Sequence, residues 1–285
     1  MSIELKSVSY TYAPNTAYFS QALDNVSLTI HDGEFVGIMG KTGCGKSTLI
    51  QLMDGLLKPS QGNVLFDGQD INLKKFDRRI LRQSIAVVFQ FPDYQLFETT
   101  VERDIAFALK HARLSKSEVK ERVIDALGAV GFDYNIVKDK SPLSFSGGEK
   151  RKLAIAGALA VKPKYLIFDE PIAGLDPVGR EAFLQLIDNL NLNGTAIIMI
   201  SHNADALAEH ASRIVLMDNG KVVRDGKTAE VLSDYMFLRA SGAATGQISN
   251  ISRLLCEKGI NIPKDTVKYN QLLDELCRIY GRDGI

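Results

Sequence analysis

Cysteine is scarce in this chain of 285 residues. The sequence has only three, Cys44, Cys256 and Cys277, and they are far apart. Such scattered thiols exclude a disulfide framework and a cysteine-rich zinc site. We therefore expect free thiols in a protein of a reducing compartment.

Charge of one sign is not in excess either, because 34 Lys and Arg balance 34 Asp and Glu. Proteins that bind nucleic acid by displacing counterions need a basic surface, so the balanced total argues against a nucleic-acid partner. The hydrophobic share of 45% is enough for a substantial core. The length predicts one large domain with an appendage.

Long hydrophobic runs are also missing. The densest apolar stretch, residues 196–200, is far shorter than the roughly 20 residues that span a bilayer. Residues 1–6 have neither the basic start nor the apolar core of a signal peptide. We expect a soluble chain that reaches any membrane through a partner.

The spacing of apolar residues predicts an α/β protein. Strands are predicted at residues 3–12, 22–30, 34–39, 62–68, 85–89, 165–169 and 196–201. The region from about 101 to 160 has helical periodicity, and Ser115 and Glu118 have capping-box spacing. Asn219-Gly220 predicts a hairpin turn, because both positions accept positive φ. An α/β core that carries a helical subdomain follows from this order.

The composition changes after about residue 240. Residues 242–246 resemble a linker, and residues 248–259 and 266–280 have the pattern of amphipathic helices. The predicted organisation is a main domain at 1–240, with its helical subdomain at about 91–160, and a small helical extension at 241–285.

A glycine-rich loop lies between the strand at 34–39 and a predicted helix at 47–56. Its residues are Gly40, Lys41, Thr42, Gly43, Cys44, Gly45, Lys46 and Ser47, with Thr48 following. Strand, GxxxxGK[ST] loop and helix come in the order that a phosphate-binding loop requires. Backbone N–H groups would surround a phosphate, Lys46 would neutralise the β and γ oxygens, and Ser47 would coordinate Mg²⁺. The alternative is a glycine turn without a ligand.

Two further segments narrow the class. One is the apolar strand that ends in Asp169 and Glu170 before Pro171. Neighbouring strand residues point to opposite faces, so both acids can face one site only if the strand ends there. A plain strand-end turn is the alternative. The other segment, at a predicted helix start, is Phe145, Ser146, Gly147, Gly148 and Glu149.

These segments resemble the Walker A, Walker B and signature motifs of ABC-type ATPases. The resemblance implies an ABC nucleotide-binding domain with a RecA-like core, an antiparallel β subdomain and a helical subdomain. It also implies the binding of ATP and Mg²⁺ and the hydrolysis of ATP. In this reading Asp169 holds Mg²⁺ through water, and Glu170 polarises the attacking water.

Two more positions match the family by their order along the chain. Gln90, after the strand at 85–89, matches the glutamine that reaches Mg²⁺ and the water. His202, after the strand at 196–201, matches the switch histidine that contacts the γ-phosphate. Either residue on its own would be an ordinary surface residue at a strand end. The remaining histidines match nothing and are read as solvated: His31, His111 and His210.

The resemblance implies that Ser146, Gly147 and Gly148 bind the γ-phosphate held by the P-loop of a second subunit. The chain departs from the family pattern at Phe145 and Glu149, where Leu and Gln are usual. Glu149 would bring a negative charge toward a triphosphate, or a hydrogen-bond acceptor toward ribose hydroxyls.

Asp176 matches the family's D-loop, which lies at the seam between two ATPases. The alternative for Asp176 is a cap on the helix that follows. Tyr12 matches the aromatic residue that stacks on adenine, and Tyr10 on the same strand face is the alternative.

Other stretches are similar to the ATPases of energy-coupling factor transporters, which take up vitamins or transition-metal ions in prokaryotes. They are residues 89–97, 100–107, 154–160 and the C-terminal extension. In that family two different ATPases sit on one transmembrane coupling subunit at the cytoplasmic face of the cell membrane. A separate membrane protein binds the substrate, and the extension helps to hold the two ATPases together.

Residues 91–95 look closer to the second ATPase of such a pair. Asp93 is expected to accept an arginine from a coupling helix of the membrane subunit.

An alternative function is that of the ATPase of a conventional ABC importer that works as a homodimer. An ABC ATPase of DNA repair would carry long coiled-coil insertions or zinc modules, and a lone P-loop GTPase would carry an Asn-Lys-x-Asp motif; the sequence has none of these.

Overall fold

The computed structural model describes residues 1–90 and 92–281, and for Pro92 and Asp93 it describes only the backbone. Phe91 of the predicted glutamine loop and residues 282–285 lie outside it. The described residues form these strands: β1 (Ser2–Tyr12), β2 (Ser20–His31), β3 (Phe35–Met39), β4 (Gln61–Phe66), β5 (Gln69–Asp70), β6 (Ile85–Val88), β7 (Tyr165–Asp169), β8 (Ala196–Ile200), β9 (Arg213–Asp218) and β10 (Lys221–Lys227).

The same residues form α-helices joined by short turns and two 3₁₀ helices. They are α1 (Lys46–Met53), α2 (Arg78–Ser84), α3 (Val101–Phe107), α4 (Lys116–Ala129), α5 (Tyr134–Val137), α6 (Gly147–Ala160), α7 (Pro177–Leu192), α8 (Ala204–His210), α9 (Thr228–Leu232), α10 (Tyr235–Ala240), α11 (Gln247–Glu257) and α12 (Tyr269–Tyr280). The predicted α/β class, with helices between β6 and β7, is confirmed.

Two sheets form the framework. An antiparallel sheet has the strand order β2-β1-β4-β5, and a six-stranded sheet has the order β10-β9-β3-β8-β7-β6. In the larger sheet β9, β3, β8, β7 and β6 run parallel, and β10 returns antiparallel to β9. The β9–β10 turn confirms the predicted hairpin, because Asn219 has φ 46° and Gly220 has φ 77°.

The larger sheet is covered on both faces, which is why its central strands are continuous apolar runs. Along β7, Tyr165 and Ile167 face a core shared with the antiparallel sheet and α1. The alternating residues Leu166 and Phe168 face a second core, shared with the helices that follow β6 and with α7 and α8. The sheet therefore holds its strand ends rigidly between two cores.

The C-terminal extension packs on the main domain more closely than its composition predicts. Residues 242–246 form an irregular connection between α10 and α11, and this connection is packed, because Ala243 belongs to the second core and is only 9% exposed. Helix α12 begins at Tyr269 rather than at the predicted residue 266, and Val267, just before it, also belongs to that core. Among the described residues, no helix has the length and apolar character needed to cross a membrane.

Helix α1 ends on an acid in an unfavourable place. Asp54 caps the C-terminus of α1, where the helix dipole disfavours a negative charge. Burial raises the pKa of Asp54 to about 7, and the nearby charge of Arg82 opposes this rise. The carboxyl group is therefore more easily protonated in the folded chain than in the unfolded chain.

We expect Asp54 to make the stability of the chain fall as pH rises. Its pKa is near 4 when unfolded and about 7 when folded, so its stabilising contribution is complete below pH 4 and lost as pH rises to 7. Because Asp54 is only partly buried, we expect its contribution to the free energy of unfolding to be about 2 kcal/mol, half of what the full pKa shift would give. Urea unfolding at pH 4 and pH 8 should show this difference in pH dependence between the unchanged chain and Asp54→Asn. The exposed Asp139→Asn should keep the original pH dependence; an unaltered pH dependence in Asp54→Asn would contradict the assignment.

Candidate functional site

The predicted site residues follow four neighbouring parallel strands. In sheet order these strands are β3, β8, β7 and β6. The glycine-rich loop follows β3, His202 follows β8, Asp169 and Glu170 lie at the end of β7, and Gln90 follows β6. Ligands of parallel α/β sheets bind at the carboxyl ends of the strands. The arrangement therefore brings separate sequence motifs to one edge.

The backbone of the P-loop requires glycine at two positions. Gly40 has φ 146°, and a Cβ there would lie 2.2 Å from the carbonyl oxygen of Met217. Gly45 has φ 106°, and a Cβ there would lie 2.5 Å from the carbonyl oxygen of Ala22. Any side chain would collide with backbone, so the loop can curl in this way only with these glycines.

Lys46 is a buried cation, only 8% exposed, at the start of α1. Its Nζ donates hydrogen bonds to the carbonyl oxygens of Gly40 at 2.7 Å and Lys41 at 3.0 Å. The side chain of Lys41 points elsewhere, with its Nζ 2.8 Å from Oδ1 of Asp218. The loop thus concentrates one ammonium group and the N-terminus of a helix, both of which attract phosphate.

Cys44 is a buried packing residue of this loop, 1% exposed. Burial raises the pKa of its thiol, which keeps it protonated and unreactive. All three cysteines are free, as predicted.

Ser47 and Asp169 meet although they are far apart in sequence. The Ser47 hydroxyl donates a hydrogen bond of 3.1 Å to Oδ2 of Asp169. Burial raises the pKa of Asp169, against the opposing effects of this hydrogen bond and of Lys46. One hydroxyl and one carboxylate suit Mg²⁺, which binds few protein oxygens and keeps waters and substrate phosphates as its other ligands. The described residues hold no cluster of three or more His, Cys, Asp or Glu suited to a metal. A Mg²⁺ site built from Ser47 and Asp169 does not require such a cluster.

Glu170 turns toward the same site because β7 ends one residue before it. Its φ of 50° is unusual for a residue with a side chain, and its N–H donates to the carbonyl oxygen of Ile200 at 3.0 Å. Its Oε1 lies 3.4 Å from Nε2 of His202. That oxygen is buried and accepts no hydrogen bond in the described part of the chain. Burial raises the pKa of Glu170, opposed by His202. A buried carboxylate with a free acceptor suits a group that orients or deprotonates water.

Gln90 and Tyr12 border this cluster. The side chain of Gln90 is exposed, and within residues 1–90 and 92–281 it makes no hydrogen bond to Ser47 or Asp169. The hydroxyl of Tyr12 forms a hydrogen bond of 3.1 Å with that of Thr48. The Tyr12 ring, 39% exposed, packs edge-on against Tyr10 at 4.8 Å between centroids. Of the two tyrosines, Tyr12 is therefore the one tied to the P-loop helix.

The signature segment forms a second group of predicted site residues. Ser146 caps the N-terminus of α6, and Glu149 folds back in a capping box. Oε2 of Glu149 accepts hydrogen bonds from the backbone N–H of Ser146 at 2.9 Å and from its hydroxyl at 2.7 Å. These bonds lower the pKa of Glu149. Its charge is thus held at its own helix cap, beside exposed Gly147 and Gly148 with open space around them.

Asp176 lies in the same neighbourhood as the signature. An open cleft of about 730 Å³ is lined by Ser146, Gly148 and Glu149 together with Gly174 and Asp176. Asp176 also caps α7, since its Oδ1 accepts a hydrogen bond of 2.6 Å from the N–H of Gly179. The capping role foreseen as an alternative is therefore present, and it is compatible with a further contact across a subunit seam.

The predicted residues thus fall into two groups. Lys46, Ser47, Asp169, Glu170 and His202 surround the P-loop, and the signature and Asp176 line a separate cleft. Among the described residues, no hydrogen bond joins Ser146, Gly147 or Gly148 to the P-loop.

Arg151 is a contact residue that the sequence did not reveal. It lies on α6 after the signature, and its Nη1 donates a hydrogen bond of 2.6 Å to the carbonyl oxygen of Ala173, three residues before Asp176. Its Nη2 lies 3.5 Å from the carbonyl oxygen of Gln90. Helical periodicity shows which face of α6 is polar, but it cannot show which distant loop that face meets.

His210 corrects another expectation. It was expected to be solvated, but its Nδ1 lies 2.7 Å from Oδ2 of Asp188 and its side chain is only 19% exposed. The contact joins α8, which follows His202, to α7, which follows Asp176. It depends on how two helices pack, so neither local sequence predicts it.

Comparisons with known proteins agree with this geometry. The sequence model of the ABC transporter family matches residues 23–173. The chain is 43% identical over 280 residues to the energy-coupling factor transporter ATP-binding protein EcfA2 of Clostridium perfringens, covering 98% of each protein. It is 44% identical to the protein of that name from Symbiobacterium thermophilum, covering 100% of this chain and 99% of that one.

Solved structures give the same picture. The cbiO1 protein of Clostridium perfringens, described as part of the ABC transporter complex cbiONQ, has a TM-score of 0.72 and 35% identity, covering 89% of this chain and 98% of that one. The ATP-binding cassette MJ0796, solved as a dimer with ADP and Pi, has a TM-score of 0.71 and 31% identity. The match covers 79% of this chain and 98% of that one. The sequence similarity to the curated relatives extends over nearly the whole chain, and the solved structures share the fold over 79–89% of it.

Proposed function

Since the chain belongs to the ABC transporter family and, within it, to the ATP-binding proteins of energy-coupling factor transporters, we propose the following mechanism of ATP hydrolysis. The chain is an ATP-hydrolysing transport subunit that acts as one half of an ATPase pair. Each ATP is held between the P-loop of one subunit and the signature of the other.

The observation that carries this proposal is the separation of the two groups of site residues. The P-loop group contains a cation, an acid that suits Mg²⁺ and an acid with a free acceptor oxygen. The signature group presents a capped helix N-terminus and Gly148 in a different cleft, with Gly147 exposed beside them. Neither group contains the full set that phosphoryl transfer requires. Two copies of the fold, facing each other, supply what each lacks.

The residues of the P-loop group have distinct tasks. Lys46 holds the β and γ oxygens, and the curled backbone around Gly40 and Gly45 donates N–H groups to them. Ser47 and Asp169 would hold Mg²⁺, with Gln90 as a further ligand. When bound there, Mg²⁺ would supply positive charge against the negative charge that develops as the phosphoryl group is transferred.

Hydrolysis requires a water aligned with the γ-phosphorus. Glu170 accepts a hydrogen bond from this water and takes its proton, and His202, 3.4 Å from Glu170, contacts the γ-phosphate. Tyr12 stacks on adenine, and Asp176 contacts the partner subunit across the seam. Closing the pair on ATP and reopening it after hydrolysis would move the attached membrane subunits.

The partners follow from the family. We infer a second, homologous but different ATPase, with this chain as the second member of the pair, and a transmembrane coupling subunit that works with a substrate-binding membrane protein. The chain would then lie at the cytoplasmic face of the membrane. The extension from residue 241 would help to hold the pair together. Purification of a tagged chain from its native cells tests this: a different ATPase should co-purify, whereas two copies of this chain alone would favour a conventional homodimeric importer.

Asp93 provides a sharper test of the membrane contact. Its side chain lies outside what the structure describes, and its role comes from its place after Gln90. We expect Asp93→Ala to weaken assembly with the coupling subunit at least about tenfold, because an interfacial charge would lose its arginine partner. Assembly is measured by pull-down with the membrane subunit and function by coupled uptake. Asp139→Ala is the matched control; unchanged assembly and uptake in Asp93→Ala would rule out the proposed contact.

A further inference from the structure

Positive charge is concentrated in two short segments of a chain whose total charge is zero. Residues 74–82 contain five exposed basic side chains and one acid, Asp77; the basic ones are Lys74, Lys75, Arg78, Arg79 and Arg82. Residues 110–116 contain no acid, and their exposed basic side chains are Lys110, Arg113 and Lys116. We call these eight side chains the basic surface.

The fold brings the two segments together. An open cleft of about 480 Å³ is lined by Arg79 and Gln83 from the first segment and its continuation, and by His111 and Arg113 from the second. Nε2 of Gln83 donates a hydrogen bond of 3.4 Å to the carbonyl oxygen of His111. The two segments therefore meet at this cleft, although they come from either side of β6 and α3 in the sequence.

Little negative charge offsets it. Asp77 is paired with Arg79, whose Nη2 lies 2.8 Å from Oδ2 of Asp77. Among the residues that the structure describes, Lys74, Lys75 and Lys116 have no ion-pair partner. Long, unpaired, exposed cations suit a diffuse negative charge better than a single buried anion.

Apolar side chains are exposed among these cations. Leu73 is 50% exposed, Ile80 46% and Phe107 45%. Nζ of Lys110 lies 5.5 Å from the centre of the Phe107 ring. Cations mixed with exposed aliphatic and aromatic groups are characteristic of surfaces that lie against lipid headgroups.

The position of the basic surface on the fold also favours contact with lipid headgroups. Its cleft shares Gln83 and His111 with a neighbouring cleft of about 420 Å³, which Gln95 and Phe97 also line. Gln95 and Phe97 belong to the stretch after Gln90, where the coupling subunit is proposed to dock. The basic surface thus borders the side of the chain that the proposed function turns toward the membrane.

We propose that the basic surface binds the anionic headgroups of the membrane and that it does so mainly by electrostatic attraction. The inference rests on the proposed function for the orientation of the chain. An acidic protein loop would need directed partners at fixed positions, whereas these side chains are spread along two segments and are largely unpaired. Contact with lipid would help to hold the ATPase in register beneath the coupling subunit.

Vesicle flotation tests the proposal with the full chain. The chain should float with vesicles of phosphatidylcholine containing phosphatidylglycerol, but not with pure phosphatidylcholine. Since each basic side chain near an anionic surface contributes roughly fivefold to binding, a Lys74→Gln, Lys75→Gln and Lys110→Gln variant should lose about a hundredfold. Raising the salt concentration should abolish binding of the unchanged chain. Inorganic phosphate at equal ionic strength should not compete.

The matched control carries Lys227→Gln, Lys258→Gln and Lys264→Gln, three exposed lysines outside the basic surface. It should bind vesicles as the unchanged chain does. Equal binding to neutral vesicles, equal loss in the control or no loss in the first variant would overturn the proposal. So would intact vesicle binding by the first variant together with weaker pull-down of the coupling subunit, which would identify an acidic protein partner. ATP hydrolysis and co-purification are measured separately, so a failure of the proposed transport function is not confused with a failure to bind lipid.

Discussion

Replacing Glu170 by Gln should lower ATP turnover at least about a hundredfold while leaving ATP binding close to that of the unchanged protein. The amide cannot take a proton from water, but it keeps the size and shape of the carboxylate. Because the substitution also removes the negative charge of Glu170, repulsion with the triphosphate should fall, and ATP should hold the pair closed for longer. Phosphate release measures turnover, and size-exclusion chromatography with ATP measures the closed pair.

The two ATP sites of a mixed pair require a careful design. Glu170→Gln alone alters one of them, so the equivalent glutamate of the partner ATPase is changed as well. Glu121→Gln, an exposed position on α4, controls for loss of a surface charge. Normal hydrolysis in a complex without both glutamates would contradict the role of Glu170, whatever happens to the closed pair.

The sequence predicts that the residues of the P-loop group lie close together, because its signals are local. Each motif lies directly at the end of an apolar strand, and parallel neighbouring strands bring such ends to one edge. The positive φ of Glu170 was not foreseeable, since it depends on the hydrogen bond from its N–H to Ile200 in the adjacent strand. That turn is what lets two consecutive acids serve the same site.

Glu149 shows a different limit. Its negative charge in the signature predicts repulsion from a triphosphate, whereas Ser146 and Glu149 also have the spacing of a capping box. In the structure the local interaction prevails, and the carboxylate accepts hydrogen bonds from Ser146. The same spacing at Ser115 and Glu118 predicts a cap that the structure confirms, so the signal was present at both places.

The contacts between distant segments were beyond the sequence. Residues 242–246 are small, which resembles a flexible linker, but small residues also allow close packing. A Cβ on Gly246 would lie 3.0 Å from Oδ1 of Asp205, whose carboxylate accepts hydrogen bonds from the N–H groups of Gln247 and Ile248. Composition records the size of these residues and not the surface against which they lie.

Lys46→Met should weaken ATP binding by about a hundredfold. The variant keeps most of the length of the side chain but loses the ammonium group, and with it two charge-assisted hydrogen bonds to phosphate oxygens. Together these bonds contribute about 3 kcal/mol, which corresponds to about a hundredfold in Kd. The same change leaves the carbonyl oxygens of Gly40 and Lys41 without their donor, so a small loss of thermal stability is expected as well.

Stability and binding must therefore be measured together for Lys46→Met. Calorimetric titration of ATP at a temperature where the variant is folded gives the Kd, and thermal unfolding without ATP gives the stability. Lys58→Met, at an exposed lysine beyond the other end of α1, is the matched control and should change neither quantity. If Lys46→Met bound ATP as tightly as the control, the buried ammonium would serve only to brace its own loop. The P-loop group would then bind phosphate through backbone N–H groups and the helix dipole alone.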